Sequence, residues 1–160
     1  MPILLADQLA FNPGAALARV IHVGAAVIAA GGAFFQFLVL RPTLATLEDP
    51  QRLELREKLA DRWRVTVYRC IVVLLISGFI NYLVYRAPAI QHYENSTAYH
   101  ILLGIKILLA LAAFHCAALL ALSGPRGKRH RDHAGFWLTT LCILFVVIIG
   151  LGSVLRTLEP

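Results

Sequence analysis

The chain has 160 residues, of which 59% are hydrophobic and only 15% are charged, and its formal net charge is +6. These proportions lie well outside the average of soluble domains and exclude an ordinary water-soluble protein. A transmembrane helix needs about 20 mostly apolar residues, and the chain contains four such runs. The sequence therefore predicts a single-domain, all-α polytopic membrane protein, an antiparallel bundle of four transmembrane helices.

The four predicted spans cover approximately residues 15–40, 65–86, 98–123 and 134–156. The start of the chain, "MPILLADQLAFNPG", lacks the basic residues that open a secretory signal, so we expect a mature N-terminus. A charged helical pattern at about 50–64 predicts a cytoplasmic extension of the second span.

Local signals mark the ends of the spans. Asn12-Pro13 and Asp49-Pro50 each put a capping side chain before a proline that suits the first helical turn. Asp132 is predicted to cap the fourth span, and the Ser123-Gly124-Pro125 segment is predicted to end the third. In the charged extension, Glu54 and Lys58 are one turn apart and form a favourable pair.

The distribution of basic residues predicts the orientation in the membrane. The connections after the first and third spans, with their flanks, hold most of the lysines and arginines. These are Arg41, Arg52, Arg56, Lys58, Arg62, Arg64, Arg69, Arg126, Lys128, Arg129 and Arg131. By the positive-inside rule both connections are cytoplasmic, which places the termini and the 87–97 loop in the periplasm of a bacterial inner membrane. Topology and anionic lipid account for the net charge, and no nucleic acid is needed because "RGKRHRDH" lacks interleaved aromatic residues.

Ionisable side chains occur within the apolar runs. The segment "YHILLGIKILLALAAFHCAALL" (99–120) carries His100, Lys106 and His115, and the first span carries His22. Each such group costs about 2.5–3.5 kcal/mol on insertion scales, so these side chains usually face the bundle interior and suggest function. At the rise of an α-helix, His22 lies level with the gap between His100 and Lys106, which are separated by about 9 Å.

These side chains, with three others at a similar depth, form a predicted outer layer that would hold a cofactor. Its members are Arg19, His22, Asn81, His100, Lys106 and Arg156. A stripe of small residues lies on the face of His22 and permits close helix approach or leaves room for a flat group: Ala25, Ala26, Ala29 and Ala33. Lys106 points about 180° away from His115, so the third span cannot aim all its basic groups at one point.

A second set of polar residues is predicted nearer the cytoplasmic side. It comprises Cys70, Cys116, Cys142 and His115. Thiolates and an imidazole at one depth suit a soft metal such as Cu(I). A buried free cysteine is, however, more often a small apolar packing residue, and disulfides are not expected in this compartment.

Three segments resemble the HemJ and CopD-like membrane families. "ARVIHVGAAVIAAGGAFFQFLVLRPTL" (18–44) is similar to their first helix, with a histidine, a glycine ten residues later and a closing Arg-Pro. "ISGFINYLV" (76–84) and "YHILLGIKILLALAAFH" (99–115) resemble the second and third helices. The resemblance to HemJ implies a four-helix b-haem protein that oxidises protoporphyrinogen IX, with His22 and Lys106 as its important positions. The resemblance to CopD implies copper handling, although the only methionine, Met1, leaves copper without thioether ligands.

We therefore expect haem b to be bound in the outer layer, with His22 as the first ligand of the iron and His100 or Lys106 as the second. In an enzyme of this kind Lys106 would take a proton from a porphyrin substrate and a quinone would accept electrons. Copper transport is the first alternative function. The second alternative is that the protein is a structural subunit of a larger membrane complex. The expected partners are membrane lipids, with a homo-oligomer or a larger complex left open.

Overall fold

A computed structural model describes residues 12–90, 96–122, 127, 129, 130 and 132–157, and only the backbone of residues 89 and 90. Four long helices account for nearly all of this part of the chain: α1 (Pro13–Ala45), α2 (Asp49–Arg86), α3 (Ser96–Ala121) and α4 (Ala134–Thr157). Each is long and apolar enough to cross a membrane. The described residues contain no strand. The predicted fold class, an all-α bundle of four membrane-spanning helices, is confirmed.

α1 begins at its predicted cap, and both α1 and α2 extend beyond the apolar runs. The predicted Asp49 cap is wrong, because Asp49 is the first residue of α2 and Glu48 holds the cap position without a side-chain hydrogen bond. Asn12 Oδ1 accepts a hydrogen bond from the Ala15 N–H at 3.0 Å, and Pro13 occupies the first turn of α1. At its other end α1 continues through a π-helical segment, Gln36–Leu40, to Ala45. In α2 the charged segment at 50–64 is continuous with the second span, and a π-helical segment, Asn81–Arg86, follows residue 80.

Two predicted boundaries differ or lie outside the described residues. The Asp132 carboxylate lies 3.8 Å from the Arg56 guanidinium of α2 and forms an ion pair with it. α4 begins at Ala134, two residues after Asp132. The Ser123-Gly124-Pro125 stop, the 91–95 part of the connecting loop and the first eleven residues are outside the described part of the chain.

Each helix packs against its neighbour in the order α1, α2, α3, α4, and α4 returns to α1. The largest core cluster joins small residues of α1 and α3 to larger ones of α4: Ala30, Ala33, Ala113, Cys116, Leu141, Cys142 and Phe145. Between α1 and α2 the Trp63 indole lies directly against Gly32, where a Cβ atom would overlap it. Small residues thus allow the close helix approach that membrane bundles need.

The outer surface of the bundle is apolar along its spans. Val20, Leu108 and Phe136 keep 67%, 68% and 68% of their surface exposed. A helix that is apolar on all sides suits a lipid environment, because hydrocarbon does not penalise these exposed faces. The protein is therefore membrane-embedded.

An arginine on α2 satisfies the end of α3. The Arg64 Nε–H donates to the carbonyl oxygen of Ala121 at 2.7 Å, and the same guanidinium donates to Asp61 at 2.5 Å. The last carbonyls of a helix have no partner within it and carry partial negative charge. Arg64 therefore caps α3 from a neighbouring helix and fixes the register of the two.

Candidate cofactor site

His22 of α1 is held by Ser77 of α2. Its Nδ1 lies 2.9 Å from Ser77 Oγ, and the serine is only 4% exposed. Ser77 Oγ in turn donates to the carbonyl oxygen of Val73, one turn back in its own helix, at 2.5 Å. Sequence reasoning singled out His22 but missed Ser77, the residue that orients it.

This pair of hydrogen bonds favours one tautomer of the imidazole. A serine hydroxyl has one proton, and a carbonyl oxygen can only accept. A Ser77 hydroxyl that donates to Val73 accepts from His22, and this arrangement places the imidazole hydrogen on Nδ1. In the neutral imidazole with this tautomer the lone pair is on the other nitrogen, Nε2. A metal-bound histidine typically has this arrangement, with its non-ligating nitrogen donating to a protein group.

Gly78 lies beside the imidazole. A Cβ atom at this position would be 3.3 Å from Cε1 of His22 and 3.7 Å from its Nδ1. A side chain there would press on the ring, so glycine leaves the imidazole its present position. Ser77 thus forms a hydrogen bond with His22, and Gly78 leaves space for its ring. A Ser-Gly pair inside an apolar span is the sequence signal that could have identified Ser77 as a site residue.

Lys106 of α3 is the predicted basic partner of His22. Its side chain is half-buried. A Cβ atom on Gly152 of α4 would lie 3.2 Å from Lys106 Nζ, so a second glycine makes room for the second basic group. Together α1, α2, α3 and α4 contribute His22, Ser77, Lys106 and Gly152 to one polar cluster.

The remaining members of the outer layer have structural contacts or face outward. Asn81 Nδ2 donates to the carbonyl oxygen of Ala18 at 3.2 Å, one turn beyond Ser77 on the same face of α2. Arg19 and Arg156 are exposed. Asn81 therefore ties α1 to α2 next to the cluster, and the two arginines lie at its periphery.

His100 is placed differently from His22. It is exposed, and its Nδ1 lies 2.7 Å from the carbonyl oxygen of Ser96 in its own helix. The rings of Tyr82 and Tyr99 meet it edge-on, with centroids 6.4 and 6.2 Å away. The structure thus orients His100 by contacts near the start of α3.

The four residues considered for copper do not come together. Cys116 and Cys142 belong to the apolar core, Cys70 is buried outside that cluster, and His115 is exposed. All three cysteines are free thiols. Within the described part of the chain no three histidine, cysteine, aspartate or glutamate side chains are grouped to hold a metal ion. Packing accounts for the cysteines as small, apolar residues.

Fold and site together define a four-helix membrane protein with a basic, hydrogen-bonded cluster among its spans. No family model, no curated protein and no solved structure matches the chain. Its function must therefore be argued from the cluster itself.

Proposed function

We propose that the protein is an integral membrane redox protein that binds haem b through His22. The observation that carries this proposal is the pair of hydrogen bonds from His22 to Ser77 and from Ser77 to Val73. This arrangement leaves the lone pair of the imidazole on Nε2, where it can bind iron. Neutral imidazole is a common ligand of haem iron. The sequence resemblance to b-haem membrane proteins points to the same histidine.

The residues near His22 suit a flat, apolar guest that carries anionic groups. Ala25 is buried, and Ala26 and Ala29 are half-buried, so the face of α1 below the imidazole offers small side chains. The ammonium of Lys106 has three N–H donors, which can bind a carboxylate of the guest. Its Nζ can also hold a proton for transfer. Bound haem would supply a one-electron couple. His22 would position it, Ser77 would fix the imidazole, and Lys106 would neutralise negative charge.

Localisation follows from the charge distribution. The bundle is membrane-embedded, and the basic connections favour the cytoplasmic side of a bacterial inner membrane, with both termini in the periplasm. In this orientation the haem would lie in the periplasmic half, where an electron-transfer partner or a quinone can approach. Oxidation of a porphyrinogen is the enzymatic form of the same proposal.

The test is haem content after purification from cells supplied with haem precursors. We expect one haem b per chain, measured by the Soret band and the pyridine haemochrome. His22→Ala should remove it, whereas the matched control His133→Ala should retain it, because His133 is exposed and bonded to the Arg129 carbonyl of its own segment. A protein that takes up no haem on purification or reconstitution, or an unchanged haem content in His22→Ala, would refute the proposal.

The role of Lys106 can be tested in the same preparation. Lys106→Met removes the ammonium while keeping most of the side-chain volume, and Lys106→Arg keeps the charge. If Lys106 neutralises a haem carboxylate, Lys106→Met should lower haem retention or the reduction potential, and Lys106→Arg should restore much of either. His100→Ala should have little effect, since that residue is exposed.

A further inference from the structure

A cavity lies away from His22, at the end of the bundle where α1 ends and α4 begins, which we call the arginine end. Its volume is about 550 Å³, and residues of all four helices line it. Leu74, Leu141 and Phe145 form its deep, apolar part, and Trp63 lines its wall. His22 is not among its lining residues, although the inner end of the cavity reaches Ala29 of the small-residue stripe on α1.

The lining of the cavity carries an excess of positive charge. Arg41, Arg52, Arg56 and Arg62 contribute four cations, and Asp132 contributes one carboxylate. Arg52 pairs with Asp49 in its own helix, and Arg56 lies 3.8 Å from Asp132. Among the residues that the structure describes, no carboxylate pairs with Arg41 or Arg62. Two of the four guanidiniums are thus available to an anion from outside the chain.

Arg41 adds a second source of positive potential. Its guanidinium lies across Gly135, in the first turn of α4, and the three nearest guanidinium atoms are 2.5–2.8 Å from where a Cβ would be. The start of a helix carries a partial positive charge. A cation held against it is unfavourable unless an anion joins the two. The contact therefore favours negative charge at the edge of the cavity.

We propose that the cavity binds an anionic phospholipid of the surrounding bilayer. Its phosphate would lie at Arg41 and Arg62, and the first part of its acyl chains would enter between Trp63, Leu138 and Phe145. A free phosphate ion satisfies the arginines but has no apolar body for the rest of the space. Basic pockets between transmembrane helices on the cytoplasmic side are known to suit anionic headgroups. This matches the orientation that the charge distribution predicts.

The test uses the full chain in nanodiscs of phosphatidylcholine with a small fraction of phosphatidylglycerol. Native mass spectrometry after release measures which lipid stays bound. We expect phosphatidylglycerol to be retained over phosphatidylcholine. Arg41→Gln with Arg62→Gln should weaken retention about 25-fold, because each arginine near anionic lipid contributes about a factor of five.

A matched pair separates the cavity from general surface charge. Arg69→Gln with Arg129→Gln removes the same charge from exposed positions that do not line the cavity, and should leave retention unchanged. Arg41→Lys with Arg62→Lys should restore most of the binding. If the double glutamine variant does not fold, Arg62→Gln alone, at an exposed side chain, should weaken retention about fivefold.

Three results would overturn the proposal. They are equal losses in the two double glutamine variants, equal retention of both lipids, and displacement of bound lipid by millimolar inorganic phosphate. The last result would assign the site to a free anion. Haem content is read in the same samples and is expected to be unaffected, so a failure here is distinguishable from a failure at His22.

Discussion

The bond between His22 and Ser77 can be measured as a coupling free energy. Ser77→Ala removes the acceptor of the His22 N–H, while the Val73 carbonyl keeps its place in the helix. A buried unsatisfied group costs about 1–3 kcal/mol, yet interhelical hydrogen bonds in membrane proteins average only about 0.6 kcal/mol and reach about 1.7. Because Ser77 is almost fully buried, we expect a loss near the upper value, about 1–1.7 kcal/mol.

The assay is reversible unfolding of the protein in mixed micelles, in the absence of haem. A double-mutant cycle combines Ser77→Ala with His22→Phe, which keeps a ring of similar size. The coupling should be about 1 kcal/mol. Ser153→Ala is the matched control, because Ser153 is exposed and its hydroxyl bonds only to the Ile149 carbonyl of its own helix, at 3.2 Å. A coupling indistinguishable from zero would mean that Ser77 does not hold the imidazole, and the assignment of the Nε2 lone pair would fail with it.

Three further predictions concern the bundle. Gly32→Ala should destabilise it by about 1–3 kcal/mol, because the added Cβ overlaps the Trp63 indole, whereas Gly31→Ala, with no atom within 4 Å, should be neutral or stabilising in the same unfolding assay. Equal effects of the two changes would contradict the packing. Arg64→Met should destabilise the chain by about 1 kcal/mol and speed hydrogen exchange at the end of α3, since the Ala121 carbonyl loses its donor; unaltered exchange there would argue against the cap. Reporter fusions should place the start of α1 and the end of α4 on the periplasmic side, and a cytoplasmic signal from either would reverse the orientation.

The sequence was most informative about the spans. Four apolar runs predicted four helices, and the Asn12-Pro13 signal predicted where α1 begins, because hydrophobic length and capping are local properties. Asp49-Pro50 marked the start of α2 to within one residue, but Asp49 is not its cap. The helices extend beyond the apolar runs because charged residues, such as those in the segment 50–64, can also form a helix outside the hydrocarbon layer. Apolar length therefore underestimates α2 at its first end.

The site was only partly predictable. Helical rise predicted that His22 lies level with the gap between His100 and Lys106. Helical phase could not choose between His100 and Lys106, because the rotation of one helix against its neighbours depends on packing with residues far away in sequence. Ser77 was missed for the same reason: its partner is 55 residues away. The cavity at the arginine end was also missed, because arginines beside a span are first interpreted as topology signals.

The length of α2 has a mechanical consequence. Its 38 residues extend for about 57 Å, nearly twice the thickness of the hydrocarbon layer, which is about 30 Å. Ser77 and Arg52 lie about 38 Å apart along this helix, without an intervening break. A force on the projecting end would therefore act on a helix that continues unbroken to the serine bonded to His22.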